Sequence, residues 1–329
     1  MFSSIELTSN SVRVCLESDN RHQSLIMETL SRERAISLRG IFPPIPTAFT
    51  TSGDIDHLNL QNNLAKWSKE PLDGYVLLGS NGEYPFLSPD EQVETVRTAR
   101  EVIPSGRLLI SGAGMEGTRE TIGLCLRMAE AGADAALINT PHYYKTKMTT
   151  AAIEHHYNQI AEACPIPIIM YNVPVYTGLD IHVESVIKLS EHPNIIGIKE
   201  SSSNIGKFGI MVKEVSKDFQ VLTGSASGFL GTLSMGAVGG VMALANIAAT
   251  QLNRLMEHFE QGNLAKAGSI QRELIRANVA ITAHYGIPGL KAALDMQGYY
   301  GGPVRSPLMP LSDSERDDLR VILTKAGLL

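Results

Sequence analysis

The sequence predicts an α/β protein with a (β/α)8 barrel, or TIM barrel, and a C-terminal helical extension. From residue 41 onward, eight short apolar runs alternate with segments of helical spacing. The runs are rich in β-branched residues, as buried parallel strands are. The chain has 329 residues, of which 43% are hydrophobic, enough to build a large core. A doubly wound sheet is the main alternative, but eight consecutive units without an antiparallel strand favour the closed barrel.

The elements follow one another at regular intervals. The predicted strands occupy residues 41–47, 74–78, 108–111, 135–140, 166–171, 195–199, 220–223 and 238–244. One crossover helix has a clear start, because Ser88 can cap it, Pro89 suits the first turn and acidic residues follow. Residues 251–260, 264–280, 290–297 and 312–325 have helical periodicity without a further strand. We therefore expect an N-terminal extension over residues 1–38, a catalytic barrel over 39–249 and a helical domain over 250–329.

Composition and charge favour a small-molecule ligand. The net charge is -6 without a basic cluster, which argues against nucleic acid. The longest uncharged apolar run, 235–245, is too short to span a bilayer. The three cysteines are scattered, as expected in a reducing compartment. The first 40 residues carry five acidic and five basic side chains and no signal-peptide core, so we expect a cytoplasmic protein, with a mitochondrial location as the weaker alternative.

The strongest chemical signal is Lys199, at the end of the sixth predicted strand. Active sites of such barrels lie at the carboxyl ends of the strands. Strand alternation places Lys199 on the face opposite Ile196 and Ile198, so it can point into the barrel. Burial there lowers the amine pKa and makes a nucleophile available. The alternative is a structural lysine paired with Glu200 or another carboxylate, although Glu200 has the opposite parity. Tyr171, which ends the preceding strand, could transfer protons beside Lys199.

Two glycine-rich turns have different interpretations. Residues 79–83, GSNGE, follow a strand and can form an anion nest, with Ser80 and Asn81 as donors; a plain strand-to-helix turn is the alternative. Residues 112–117 match GxGxxG, a dinucleotide-binding pattern. The acidic residue that should end the next strand is missing, since Asp134 lies at its beginning, so NAD binding is disfavoured.

The nine histidines form no HxH or HExxH motif, and we predict neither a metal nor a cofactor.

These motifs together resemble a known family from about residue 39 to the C-terminus. The matching segments are PTAF at 46–49, GSNGE at 79–83, TPHYY at 140–144, YNVP at 171–174, GIKES at 197–201 and GAVGGV at 236–241. In order and spacing they resemble the dihydrodipicolinate synthase and N-acetylneuraminate lyase family of Schiff-base pyruvate aldolases. Within it, the tail segments GIPGLK and GYYGGPVRSPL resemble the 4-hydroxy-2-oxoglutarate aldolases most.

The resemblance implies specific roles. Lys199 would form the imine with pyruvate, Tyr171 would transfer protons, and Ser80 would relay them. Ser80 and Asn81 would bind the substrate carboxylate. A tyrosine of TPHYY would enter from a neighbouring subunit of a homo-oligomer, a tetramer or a dimer; Tyr144 is favoured, and Tyr143 is the alternative, because the additional residue His142 leaves the alignment open by one position. Three further residues are candidate substrate contacts: Gly82 and Ser201 in the matching motifs, and Ser225 in a Gly-Ser-Ala segment that also resembles the aldolases.

The expected reaction is cleavage of a 4-hydroxy-2-oxoglutarate-like acid to pyruvate and an aldehyde, glyoxylate. A 2-keto-3-deoxy sugar-acid aldolase is the first alternative. A 4-hydroxy-tetrahydrodipicolinate synthase is disfavoured, because Tyr176 stands where that branch has an arginine for the second substrate's carboxylate. A sensor that binds a keto acid without turnover and an NAD-dependent oxidoreductase are the remaining alternatives.

Overall fold

Eight parallel strands confirm the predicted barrel. The computed structural model describes residues 36–104 and 106–329; nearly all of the predicted extension over 1–38 lies outside the described residues. The strands are β1 (Gly40–Phe42), β2 (Gly74–Leu77), β3 (Leu108–Gly112), β4 (Ala135–Asn139), β5 (Ile168–Asn172), β6 (Ile195–Glu200), β7 (Gln220–Thr223) and β8 (Gly239–Val241). They pair in the order β1-β8-β7-β6-β5-β4-β3-β2, and every pair is parallel.

The barrel closes between β1 and β2 through the residues just after β1. The N–H of Val76 donates to the carbonyl of Pro43 over 3.0 Å, and the N–H of Ile45 donates to the carbonyl of Val76 over 2.8 Å. Pro44 bridges Val76 in parallel. Backbone hydrogen bonds therefore continue all the way around, which distinguishes this fold from the open doubly wound sheet.

Two predicted strands are longer than the observed ones. The strand predicted over 41–47 ends at Phe42, because Pro43 and Pro44 have no N–H to donate to a ladder. The strand predicted over 238–244 ends at Val241, and a 3-10 helix over Ala243–Asn246 follows. Those residues are buried, so the apolar run marked burial correctly but not backbone conformation.

Helices surround the barrel and continue beyond it. They are α1 (His57–Trp67), α2 (Pro89–Arg100), α3 (Thr118–Glu130), α4 (Thr150–Ala163), α5 (Pro174–Thr177), α6 (Val183–Leu189), α7 (Ile205–Glu214), α8 (Phe229–Ser234), α9 (Ala249–Glu260), α10 (Leu264–Val279), α11 (Gly286–Met296) and α12 (Asp313–Lys325). Ser88 caps α2 in a capping box with Glu91, a motif that stabilises a helix by about 1 kcal/mol. The helix predicted over 290–297 begins earlier, at Gly286, after a π-helix over Ala280–His284.

The C-terminal segment packs against the barrel through aromatic contacts. The rings of Trp67 and Tyr299 stack with centroids 4.9 Å apart. The indole of Trp67 also donates a 2.9 Å hydrogen bond to the carbonyl of Asn246. Asn63 and Tyr300 exchange two further hydrogen bonds, of 2.7 and 2.9 Å. The extension therefore shares a core with the first helix of the barrel.

Across residues 36–104 and 106–329, none of the helices has the length and apolar character required to cross a bilayer.

Candidate active site

Lys199 is buried at the end of β6, as its strand parity predicts. Its residue is 4% exposed, and its Nζ atom lies 3.9 Å from the centroid of the Tyr171 ring. Tyr171 and Lys199 are register partners on β5 and β6, which explains why their side chains meet. Burial removes water from the ammonium and lowers the pKa of Lys199 from 10.5 to about 7. A substantial neutral fraction is therefore present near neutral pH.

Glu200 is not the partner of Lys199, in agreement with the prediction from parity. Both carboxylate oxygens of Glu200 accept from the amide of Asn172, at 3.0 and 2.9 Å. The same carboxylate lies 3.3 Å from the Nζ atom of Lys207. Among the residues that the structure describes, Lys199 forms no ion pair, so nothing charged holds it in its protonated form.

The phenol of Tyr171 connects Lys199 to the GSNGE turn. Its hydroxyl lies 3.3 Å from the Oγ atom of Ser80. Burial raises the pKa of Tyr171 to about 12, although the neighbouring hydroxyls of Ser80 and Ser201 oppose this increase. The phenol therefore stays protonated at neutral pH, and it can donate a proton and later take one back.

The side chain of Ser201 places its hydroxyl beside the phenol of Tyr171. Its Oγ atom is buried, although the residue as a whole is half-buried, and it forms no hydrogen bond of good geometry with a described residue. Gly224 leaves room for this side chain, because a Cβ atom on Gly224 would lie 1.8 Å from the Ser201 Oγ atom. A buried, unsatisfied hydroxyl is costly without a partner, so this atom is suited to a bound ligand.

The GSNGE turn forms a 3-10 helix over Ser80–Gly82. The N–H groups of Gly82 and Glu83 donate to the carbonyls of Gly79 and Ser80, at 2.9 and 3.1 Å. The carbonyl of Gly82 accepts a 2.6 Å hydrogen bond from Thr47. Gly82 therefore uses both backbone groups, its N–H within the turn and its carbonyl toward Thr47. The first N–H groups of a helical turn have no partner inside it, which leaves those of Ser80 and Asn81 for an anion.

A cavity of about 230 Å³ opens beside Ser80 and Tyr171. Its lining also contains Glu83, Tyr84, Pro85, Phe86, Asn139, His142, Val173, Tyr176, Thr177, Ile287 and Leu308. Burial raises the pKa values of Tyr84 and Tyr176, that of Tyr84 to about 12, so both phenols are neutral. Among the described lining residues there is no lysine or arginine. Tyr84 and Asn139 were not predicted as site residues, since a tyrosine or an asparagine near a strand end has no distinctive pattern.

Ser225 lies in a second cavity, of about 390 Å³, together with Glu200, Thr223 and Ser227. The Ser225 hydroxyl accepts from the N–H of Ser227 over 3.4 Å. The structure thus brings Lys199, Tyr171, Ser80 and Ser201 together but places Ser225 in the second cavity. The role of Ser225 in substrate binding stays a prediction.

Tyr144 is exposed on the loop that follows β4. Tyr143 and Tyr144 are 77% and 69% exposed, and their rings make an edge-to-face contact at 5.0 Å. Glu116 holds this loop, because its Oε2 atom accepts from the N–H groups of His142 and Tyr143 at 3.0 and 2.8 Å. An exposed pair of aromatic side chains on a fixed loop is typical of an interface. Entry of Tyr144 into a neighbouring subunit stays a prediction.

The GxGxxG motif has a structural explanation that sequence reasoning did not find. A Cβ atom on Gly114 would lie 2.3 Å from Oδ1 of Asn139, so glycine admits this cavity residue. Glu116, inside the same motif, holds the TPHYY loop. Gly114 and Glu116 are therefore explained by their contacts with Asn139 and with the TPHYY loop.

Comparison with known proteins gives one consistent result. Residues 37–326 match the dihydrodipicolinate synthetase family. A 4-hydroxy-tetrahydrodipicolinate synthase of Methanothrix thermoacetophila is 34% identical over 288 residues, which cover 87% of this chain and 96% of that protein. An uncharacterized DapA-like lyase of Halobacterium salinarum is 32% identical over 294 residues, with 89% and 96% coverage.

Solved structures agree with the sequence relatives. The dihydrodipicolinate synthase DapA-2 of Bacillus anthracis superposes with a TM-score of 0.85 at 28% identity, covering 88% of this chain and 98% of that one. YagE of E. coli, a family member in complex with pyruvate, gives a TM-score of 0.84 at 27% identity, with 89% and 100% coverage. The chain therefore belongs to the dihydrodipicolinate synthetase family of barrel lyases.

Proposed function

We propose that this protein is a class I pyruvate aldolase that cleaves 4-hydroxy-2-oxoglutarate or a closely similar acid to pyruvate and glyoxylate. The observation that supports it most is the arrangement of Lys199, Tyr171 and Ser80. A buried amine with a pKa of about 7 lies against a phenol, and a serine hydroxyl lies 3.3 Å from the oxygen of that phenol. Such a lysine is a suitable nucleophile toward a ketone.

The first half of the reaction joins the lysine to the substrate. The neutral Nζ atom of Lys199 attacks the 2-oxo carbon, and a carbinolamine forms. Tyr171 gives its proton to the departing hydroxyl, so water leaves and a protonated imine remains. The positive charge of that imine stabilises the phenolate that Tyr171 has become, assisted by the Ser80 hydroxyl.

The second half breaks the carbon–carbon bond. The Tyr171 phenolate takes the proton of the 4-hydroxyl group, the C3–C4 bond breaks, and glyoxylate leaves. The bonding electrons enter the imine and give an enamine. Protonation of C3, with Tyr171 as the donor, regenerates the imine of pyruvate, and water then hydrolyses it to free Lys199. No step requires a metal or a cofactor.

The substrate carboxylate next to the oxo group is assigned to the GSNGE turn. Ser80 and Asn81 begin the 3-10 turn, where N–H groups are available to an anion. Ser201 supplies a further hydroxyl near Tyr171. Gly82 supports the turn through its backbone, and Ser225 is assigned to the far end of the substrate through the second cavity.

The complete site is assigned to a homo-oligomer, a tetramer or a dimer. The support is the pair of exposed tyrosines on the loop that Glu116 holds. Tyr144 would enter the site of a neighbouring copy and extend the proton relay. No nucleic-acid or membrane partner is proposed, and the proposed location is the cytoplasm.

A 4-hydroxy-tetrahydrodipicolinate synthase is the second candidate, because relatives carry that name. Its second substrate also has a carboxylate, and a guanidinium is the group best suited to hold one. Tyr176, with a neutral phenol, lines the cavity instead, so the far carboxylate of either substrate must be held by a group other than a guanidinium. A 2-keto-3-deoxy sugar-acid aldolase uses the same imine with a longer substrate.

Borohydride trapping with pyruvate tests the proposal. Reduction of the imine should attach pyruvate to the protein, and peptide mass mapping should find the adduct on Lys199. Label on another residue, or none, contradicts the mechanism. Product assays then separate the candidates, since glyoxylate, glyceraldehyde and consumption of aspartate semialdehyde each identify one reaction. Pyruvate binding without release of an aldehyde would indicate a sensor.

A further inference from the structure

We propose that Glu83 and Lys291 are positioning residues through which the C-terminal segment holds the substrate-carboxylate turn in place. This inference rests on the proposed function, since it assigns the GSNGE turn to the substrate carboxylate. Glu83 is the last residue of that turn, and Lys291 lies on α11, beyond the barrel. The pair makes the helical extension part of the support of the active site.

The two side chains form an ion pair in the interior. The Lys291 Nζ atom lies 2.6 Å from Oε1 of Glu83, and the side chains are 2% and 0% exposed. Two charges taken out of water require close partners, and an apolar pair would fill the same space at lower cost in stability. A buried pair of this kind therefore suggests a geometric requirement.

Further contacts fix each member of the pair. Lys291 also donates to the carbonyl of Pro303 over 2.7 Å, and its Nζ atom lies 4.5 Å from the centroid of the Phe49 ring. The second oxygen of Glu83 accepts from the backbone N–H of Arg305 over 2.8 Å. Residues 303–305 therefore form a strap that contacts both the lysine and the glutamate.

The strap is itself tied to the same face of the barrel. The guanidinium of Arg305 pairs with Glu91 at 2.7 Å. It also donates to the carbonyls of Gly53 and Phe86, at 2.6 and 2.8 Å. These bonds fix the strap relative to the turn. The strap groups that contact the Glu83 carboxylate are therefore held in place themselves.

The backbone of Glu83 shows why the turn needs this support. Its φ is 55°, in the left-handed region that residues with a Cβ atom disfavour. Glu83 also lines the cavity beside Ser80 and Tyr171. Without Lys291, a buried carboxylate would lack its partner and would turn toward this cavity or toward water. Ser80 and Asn81, three and two residues earlier, would then lose their alignment with the substrate carboxylate.

The test compares three variants with a matched control. Glu83→Gln is nearly isosteric and keeps an acceptor for Arg305, Lys291→Met removes the ammonium at similar volume, and the third variant combines both. Lys188→Met is the control, because Lys188 forms a 2.6 Å ion pair with Glu154 but is 65% exposed. Circular dichroism and thermal melting identify the variants that fold.

The readout is borohydride trapping on Lys199 as a function of pyruvate concentration. We expect Glu83→Gln and Lys291→Met each to raise the half-saturating pyruvate concentration by about tenfold, with less change in the maximal trapping rate. The double variant should be no worse than the more affected single variant, since both break the same connection. Lys188→Met should trap like the parent protein.

The inference is overturned if the half-saturating pyruvate concentration of a folded variant stays within about twofold of the parent value. If Lys291→Met does not fold, the milder Glu83→Gln decides. A parent protein that is not labelled on Lys199 contradicts the proposed function instead, so the two failures are distinguishable.

Discussion

The Nζ atom of Lys199 lies 3.9 Å from the centroid of the Tyr171 ring, and the phenol of that ring lies 3.3 Å from Ser80. The ring face attracts an ammonium, which favours the charged form of Lys199. Burial acts in the opposite direction and is the larger effect, because the pKa of Lys199 falls to about 7. The amine is therefore close to a proton source and only weakly held in its protonated state.

Replacement of Lys199 by arginine should abolish turnover and leave the fold intact. Arginine keeps a positive charge but has no accessible lone pair at neutral pH, so it cannot form the imine. We expect a loss of at least about 10³-fold in glyoxylate release. Lys188→Arg, on the surface, is the control. Substantial activity in folded Lys199→Arg would contradict the covalent mechanism.

Activity should rise with pH around neutrality. Burial lowers the pKa of Lys199 to about 7, so the reactive neutral amine is the minor form at pH 6 and the major form at pH 8. Tyr171, with a pKa raised to about 12, remains protonated over this range and adds no descending limb. We expect kcat/KM to increase by about tenfold from pH 6 to pH 8. A flat profile would show that Lys199 deprotonation does not control the rate.

Stability should depend on pH in the same direction. The folded protein holds Lys199 with a lowered pKa of about 7, whereas the unfolded chain has the ordinary value of 10.5. Between these values the unfolded state binds more protons, so the Lys199 contribution makes unfolding harder as pH rises. Thermal melting of the parent and Lys199→Met between pH 7 and pH 10 measures this contribution. The parent should gain stability relative to the variant over that range; a constant difference would argue against a lowered pKa.

Removal of one oxygen from Tyr171 should slow proton transfer without moving the ring. Tyr171→Phe keeps the aromatic face beside Lys199 and loses the hydroxyl that lies near Ser80. We expect kcat to fall by about 10² to 10³-fold, while borohydride still labels Lys199 at a slower rate. Tyr285→Phe removes a surface phenol bonded to Asp318 and should have little effect. Equal kinetics in both variants would exclude Tyr171 as the relay.

The sequence predicted the barrel and the innermost part of the site for a clear reason. Strand alternation determines which side chains point inward, so the separation of Lys199 from Glu200 followed from parity. The contact between Glu83 and Lys291 left no such trace, because it joins distant segments whose residue types are common on surfaces. The cavity that contains Ser225 depends on loop conformation after β7, which periodicity does not describe.

A neighbouring subunit should supply Tyr144, and mixing two impaired variants tests this directly. Tyr144→Phe should lower kcat by about 10²-fold, whereas Tyr143→Phe, on the same exposed loop, serves as its matched control. Native mass spectrometry measures the oligomer in each case. Lys199→Arg and Tyr144→Phe are then dissociated, mixed and reassembled. If the tyrosine crosses between copies, a mixed oligomer contains sites with both Lys199 and Tyr144, and activity returns. If Tyr144 acts within its own chain, no site of this mixture regains both residues, and activity stays at the level of the separate variants.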